Sequence, residues 1–156
     1  MKVIFKRILV SAMVIFLLMQ LYQPARNLDY GQVLPVHFTK VYKVPSNVTA
    51  ILQTSCYDCH SNNTIYPLYS YNQPVRLFLD NHINDGKKNL NFSEFGKYSK
   101  RRQENKLNQI IDQVKSDEMP LSSYTLIHRN AILSKENKAL LINWTEKTRD
   151  SISNKK

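Results

Sequence analysis

Cysteine occurs twice in 156 residues, glycine three times and tryptophan once, and no stretch alternates apolar and polar residues as a strand would. The missing alternation removes β-sheet folds and leaves an all-α domain. A structural zinc site needs two further Cys or His at paired spacing, and His37, His82 and His128 are scattered, so zinc is excluded. Glycine is confined to Gly31, Gly86 and Gly96, no internal repeat is evident and nothing is low-complexity, which removes repeat arrays and disordered tracts. Acidic residues are few as well: 12 against 22 basic ones give a net charge of +10. Lys2, Lys6 and Arg7 lie in a leader without acids, so the remainder carries 19 basic residues and a net +7. They are dispersed rather than clustered, which speaks against nucleic acid as a partner. A surface of this sign steers acidic redox proteins, meets anionic lipid, or is simply solvated.

What the chain does have is concentrated in one place. Both cysteines stand in TSCYDCH, residues Thr54 to His60. Two residues separate Cys56 from Cys59, and His60 follows at once. This is the pattern of covalent haem attachment, in which two thiols add across vinyl groups and the adjacent imidazole reaches the iron. A redox dithiol needs an apolar strand before a helix start, and the preceding VPSNVTAILQ does not read that way. The expectation is one covalent haem c on Cys56 and Cys59, with His60 as an axial ligand.

The N-terminus agrees on compartment, because such motifs are filled outside the bacterial cytoplasm. Lys2, Lys6 and Arg7 precede an apolar run from Ile8 to Tyr22 that only Ser11 and Gln20 interrupt. Its length suits a signal peptide, whereas the missing small-x-small cleavage site favours a retained membrane anchor. Residues 1–23 are read as one or the other, placing the rest on the periplasmic side of the inner membrane. Residues 24–43, without sustained helical period, read as a linker or a strap along the domain. Residues 44–149 form the haem-binding domain and 150–156 a polar tail.

Helical spacing organises that domain as a small cytochrome c-like bundle. Ser46 or Asn47 caps a first helix whose Val48, Ile51 and Leu52 share a face and which delivers Cys56 to His60 at its end. Pro74 suits the first turn of a second helix, with Val75, Phe78, Leu79, His82 and Ile83 on one stripe and Gly86 as its stop. Ser99 caps a third, bearing Leu107, Ile110, Ile111 and Val114, and Ser134 opens the last, with Leu140, Leu141 and Trp144 inward. Tyr66, Tyr69, Tyr71 and Trp144 are expected to wall the haem, or else to be core aromatics. A carbonyl of Pro67 or Pro74 is a candidate to orient His60, although both suit plain turns.

The iron's second axial position decides the function. Met119, in KSDEMPL after the third helix, is held by Pro120 on an irregular loop from which a thioether reaches iron. His82 is the rival ligand, on the apolar stripe of its helix, and His128 and His37 follow. Met119 reads otherwise as a core methionine and His82 as a buried, hydrogen-bonded histidine.

From CYDCHSNNTIYPLYSYNQP through HINDGKKNLNFSEF to EMPLSSYTLIHRNAILS and Trp144, the chain resembles the bacterial haem-binding domain family of exported c-type proteins common in Bacteroidetes-like bacteria. The resemblance covers nearly all of residues 44–149. It implies covalent haem at Cys56 and Cys59 with ligation by His60, and it marks SNNTIYP, His82, LNFSEF, the Met-Pro pair and His128 as family positions. Leu68 and Phe95 depart from it, since members more often carry Trp there. Function is then expected to be electron transfer by a non-enzymatic monohaem cytochrome with protein redox partners. A peroxidase-like enzyme or a haem-based sensor with a displaceable sixth ligand is the alternative, and a sensor lacks the length for an output domain.

Overall fold

Ser99 and Ser134 stand where the sequence puts helix starts. Ser99 Oγ accepts the Arg102 amide at 3.4 Å and Ser134 Oγ accepts that of Asn137 at 3.1 Å, each satisfying an orphan N–H of a first turn. The computed structural model describes residues 1–153, and no strand occurs among them. Its helices are α1 (Lys2–Met19), α2 (Phe38–Val41), α3 (Ser46–Ser55), α4 (Tyr57–His60), α5 (Val75–Asn89), α6 (Lys100–Lys115), α7 (Ser122–Thr125) and α8 (Lys135–Ser153). Short 3₁₀ turns cover Leu68–Tyr71, Phe92–Lys97 and Arg129–Ala131. The fold is all-α, as expected.

The core forms where α6 packs along α8. Leu107, Ile111 and Val114 recur on one face of α6, and Leu141, Thr145, Thr148 and Ile152 recur at three- and four-residue spacing on α8. Val48, Ile51 and Leu52 of α3 close the same core. Of the polar tail expected over 150–156, residues 150–153 continue α8 with Ile152 buried, and 154–156 lie outside the described residues.

Phe38, within the stretch read as linker or strap, is 1% exposed. Its ring meets Phe95, Phe92, Tyr42 and Trp144 edge-on, with centroids 4.8 to 5.6 Å apart. The strap is tied down further by Gly96 N donating to Val36 O at 2.8 Å and by buried Arg76, which donates to Pro24 O and pairs with Asp80 at 2.6 Å. Phe38→Ala is therefore expected to cost about 3–5 kcal/mol, the range for emptying an aromatic core site. Urea unfolding of the full chain measures it, and a loss below about 1 kcal/mol would place Phe38 outside the cooperative core.

Several expectations are corrected. Pro45, not Ser46 or Asn47, occupies the position before α3, and Asn47 Oδ1 accepts only the neighbouring Val48 amide. Gly86 does not stop the second helix, which runs on to Asn89. The spanning anchor is not supported: among the described residues no helix is long and apolar enough to cross a membrane. Basic residues occupy the first turns of α1, and its uncharged part from Ile8 to Met19 spans only about 18 Å against the roughly 30 Å of a hydrocarbon core. No side chain of α1 is buried, and Gln20 beyond it exchanges hydrogen bonds with Gln73 of the domain at 2.9 and 3.2 Å.

Candidate functional site

The chain breaks at Cys56, where φ −130° and ψ −40° leave the helical region. This separates α3 from the single turn α4, so Cys56 to His60 form a distinct turn rather than the end of the first helix. The His60 amide closes it on Cys56 O at 3.0 Å. Packing of α4 against α5 then fixes the imidazole. His60 Nδ1 donates to Gly86 O and Leu90 O at 3.0 and 3.1 Å, since a carbonyl can only accept. Burial chiefly, with the nearby charge of Lys106, holds the imidazole below its usual proton affinity, and the two carbonyls act in the opposite sense. The ring is thus a neutral tautomer with Nε2 uncommitted, which is the form that ligates a metal. The orienting carbonyls belong to Gly86 and Leu90, not to Pro67 or Pro74; those two accept from Ser70 and Phe78 within their own turns.

Gly86 is what lets α5 come this close. A Cβ built there would stand 2.5 Å from the Cys59 carbonyl oxygen.

Cys56 and Cys59 are free thiols. Burial pushes Cys56 up to about 12 and Cys59 up to about 11, with the charge of Cys59 adding to the first and that of Asp58 to the second. A redox dithiol depends on a depressed thiol, so this environment opposes that reading.

Both cysteines and His60 face a cavity of about 650 Å³, inside the range of roughly 300–1,000 Å³ usual for ligand pockets. One full stripe of α5 lines it, from Phe78, Asn81 and His82 to Asp85, Gly86 and Asn89. The matching stripe of α6 is Lys106, Gln109, Ile110, Gln113 and Val114. The loop after α6 adds Met119, Pro120 and Leu121, with Met119 N donating to Gln113 O at 3.1 Å. Met119 and His82, the two leading candidates for sixth ligand, therefore line the cavity that holds His60. His82 Nδ1 donates to Phe78 O at 2.9 Å, and its ring lies 4.3 Å from that of Phe78. The second-helix stripe divides: Ile83 is buried, whereas Phe78 and His82 face the cavity.

His37 and His128 lie outside it. His37 Nδ1 caps α2 by accepting the Thr39 amide at 3.2 Å. His128 Nε2 bonds the Tyr69 hydroxyl at 2.7 Å, and its ring stacks on Tyr124 at 4.3 Å. The expected aromatic wall is also corrected. Trp144 packs on Phe38, Tyr66 and Tyr71 carry the Arg26 and Arg76 guanidinium groups, and Tyr69 meets His128. The tyrosine that lines the cavity is Tyr124, whose hydroxyl donates to Asp58 Oδ2 at 2.7 Å. That bond joins the Met119 loop to the Cys-x-x-Cys-His turn. Burial and the Asp58 carboxylate raise the Tyr124 hydroxyl well above the usual tyrosine range, so it remains a donor. Sequence reasoning missed Asp58, Gly86, Lys106 and Tyr124, although Asp58 sits inside the motif and Lys106 falls one turn before Ile110 on a visible stripe.

The residues present fit a haem. The cavity is of cofactor size with apolar walls, two thiols stand on its wall, and an oriented imidazole offers a free nitrogen to its interior. Against known proteins, no curated protein and no solved structure matches the chain. A family model, described as the haem-binding domain, matches residues 14–147, and the chain belongs to that haem-binding family.

Proposed function

We propose that this haem-binding chain is an exported monohaem c-type cytochrome that carries electrons and catalyses no bond chemistry. The observation that carries the reading is that one cavity receives the Cys56, Cys59 and His60 turn together with Met119, which is remote from that turn in the sequence. Cys56 and Cys59 would hold the haem covalently, His60 would ligate it through Nε2, and Met119 would supply a thioether as the second protein ligand. A haem held in this way supplies a reversible one-electron store. The residues would serve that use by keeping both ligands in place in either oxidation state. The basic leader and the exposed apolar α1 support export, with the domain working on the periplasmic side of the inner membrane.

A second reading has its own basis. His82 lines the same cavity with Nδ1 held by Phe78 O, so its Nε2 is an alternative sixth ligand or an acid-base group of a peroxidase-like enzyme. The oxidised full-length protein is expected to show the weak near-infrared band of thioether coordination to ferric haem and to resist carbon monoxide when reduced. Met119→Ala should abolish the band, lower the reduction potential and open the iron to carbon monoxide. Ready carbon monoxide binding by the wild type, unchanged in Met119→Ala, would sink the carrier reading. Opening by His82→Ala alone would assign the ligand to His82.

A further inference from the structure

Of the side chains lining the cavity, Lys106 alone is cationic, and the acids are Asp58 and Asp85. Asp58 is committed: Oδ2 accepts the Tyr124 hydroxyl and Oδ1 the Ile65 amide at 2.9 Å. Asp85 is exposed to solvent. Lys106 is half-buried, and its ammonium donates to Gln109 Oε1 at 2.8 Å. Among the described residues no carboxylate lies within ion-pair distance of it. Arg102, one turn earlier on α6, is turned onto the Tyr98 ring at 4.4 Å. Burial, followed by that neighbouring guanidinium, holds Lys106 below the usual lysine range. A half-buried ammonium with a guanidinium one turn away and no carboxylate partner is electrostatically favoured once an anion meets it.

The surroundings choose the anion. Asn81 and Asn89 of α5 and Gln109 and Gln113 of α6 present amides along the same cavity, and its uncommitted acid, Asp85, is exposed to solvent and not within ion-pair distance of Lys106. Lys106 is also near enough to His60 for its charge to act on the imidazole. A ligand here must therefore reach the apolar space around His60 and at the same time bring a carboxylate to Lys106.

We infer that Lys106 binds a propionate carboxylate of the haem and so fixes which edge of the macrocycle lies between α5 and α6. This rests on the haem-binding reading and adds an anchor to it. Lys106 is a positioning residue: its ammonium pairs with the carboxylate, and its positive charge near the iron ligand favours the reduced, less positive iron.

Two measurements on the full chain test this. In holoprotein matured with covalent haem, Lys106→Gln should lower the reduction potential by at least about threefold in the reduction equilibrium constant, or about 28 mV at 59 mV per tenfold for one electron. Lys106→Arg should restore it. In full-length Cys56→Ala/Cys59→Ala protein, haem should bind about tenfold or more tightly than its dimethyl ester, as expected for loss of one charge-assisted hydrogen bond, and adding Lys106→Gln should abolish that preference. An unchanged potential in a Lys106→Gln holoprotein that keeps its haem overturns the assignment while leaving the haem site intact. So does an ester preference that persists without Lys106. If the matured wild type carries no haem, the assignment and the electron-carrier reading fall together.

Discussion

Replacing both Cys56 and Cys59 by alanine in the full chain, produced with a c-type maturation system, is expected to convert haem that survives acidified acetone into haem extracted completely. The wild type should retain essentially all of it. On the proposed attachment each thiol would form one thioether, so Cys56→Ala or Cys59→Ala should each reduce covalent retention, and the double substitution should remove it. The contrast is large because the two modes of attachment differ in kind. Without thioethers, the haem would be held only by the proposed His60 ligation and the apolar walls, and acid would protonate the imidazole while solvent takes the macrocycle. His60→Ala separates the roles: haem already joined to the cysteines stays through extraction, while the spectrum loses its axial imidazole. The raised thiol values make this reading more specific. Buried thiols pushed up to about 12 and 11 are poor candidates for disulfide exchange, which speaks against a redox dithiol and supports the proposed covalent attachment. A wild type that gave up all its haem to acidified acetone would refute covalent attachment, and the cavity would then hold haem by ligation alone.

The Cys-x-x-Cys-His turn was legible because every one of its parts is local in sequence, and helix starts such as Ser99 and Ser134 were legible for the same reason. The apolar stripe of α6 could also be read, since Leu107, Ile111 and Val114 repeat at helical spacing. What holds the site is non-local. The carbonyls that orient His60 come from Gly86 and Leu90, and nothing in the sequence near His60 announces them. Pro67 and Pro74 lay closer along the chain and looked suitable, but their carbonyls are used by their own turns. Tyrosines mislead for a related reason. Tyr66 and Tyr71 have the right chemistry for a cavity wall, yet Arg26 and the buried Arg76 draw them into cation–π contacts beside the strap. Phe38 shows the limit of periodicity: one buried ring in an irregular stretch carries no repeat, although four aromatic neighbours converge on it. At the N-terminus the apolar run was visible, and the helix that it forms is too short once its charged first turns are set aside.

Gly86→Ala should damage the site although it improves the helix. In an exposed helix interior, alanine in place of glycine stabilises by about 0.5–1 kcal/mol, because it loses less backbone entropy on folding. Here the added Cβ would lie 2.5 Å from Cys59 O, 3.1 Å from Cys59 C and 3.2 Å from Cys59 Cβ. Two of those atoms are backbone, so no side-chain rotation relieves the overlap, and α4 and α5 must separate. Separation lengthens the bonds from His60 Nδ1 to Gly86 O and Leu90 O together, since both acceptors lie on the α5 side of the contact. Overpacking of this kind costs about 1–3 kcal/mol, and the loss of a buried hydrogen bond adds about 1 kcal/mol, so the penalties outweigh the helical gain. The apoprotein's urea midpoint should therefore fall. The holoprotein should show a smaller haem-loaded fraction and a perturbed axial-imidazole spectrum, because the ring no longer has a fixed tautomer and orientation. Lys88→Ala, two residues along the same helix and exposed, should change stability by no more than about 0.5 kcal/mol and leave the spectrum alone. A Gly86→Ala protein more stable than the wild type, with an unaltered haem spectrum, would mean that α5 does not press on the Cys59 backbone and that His60 is oriented by something else.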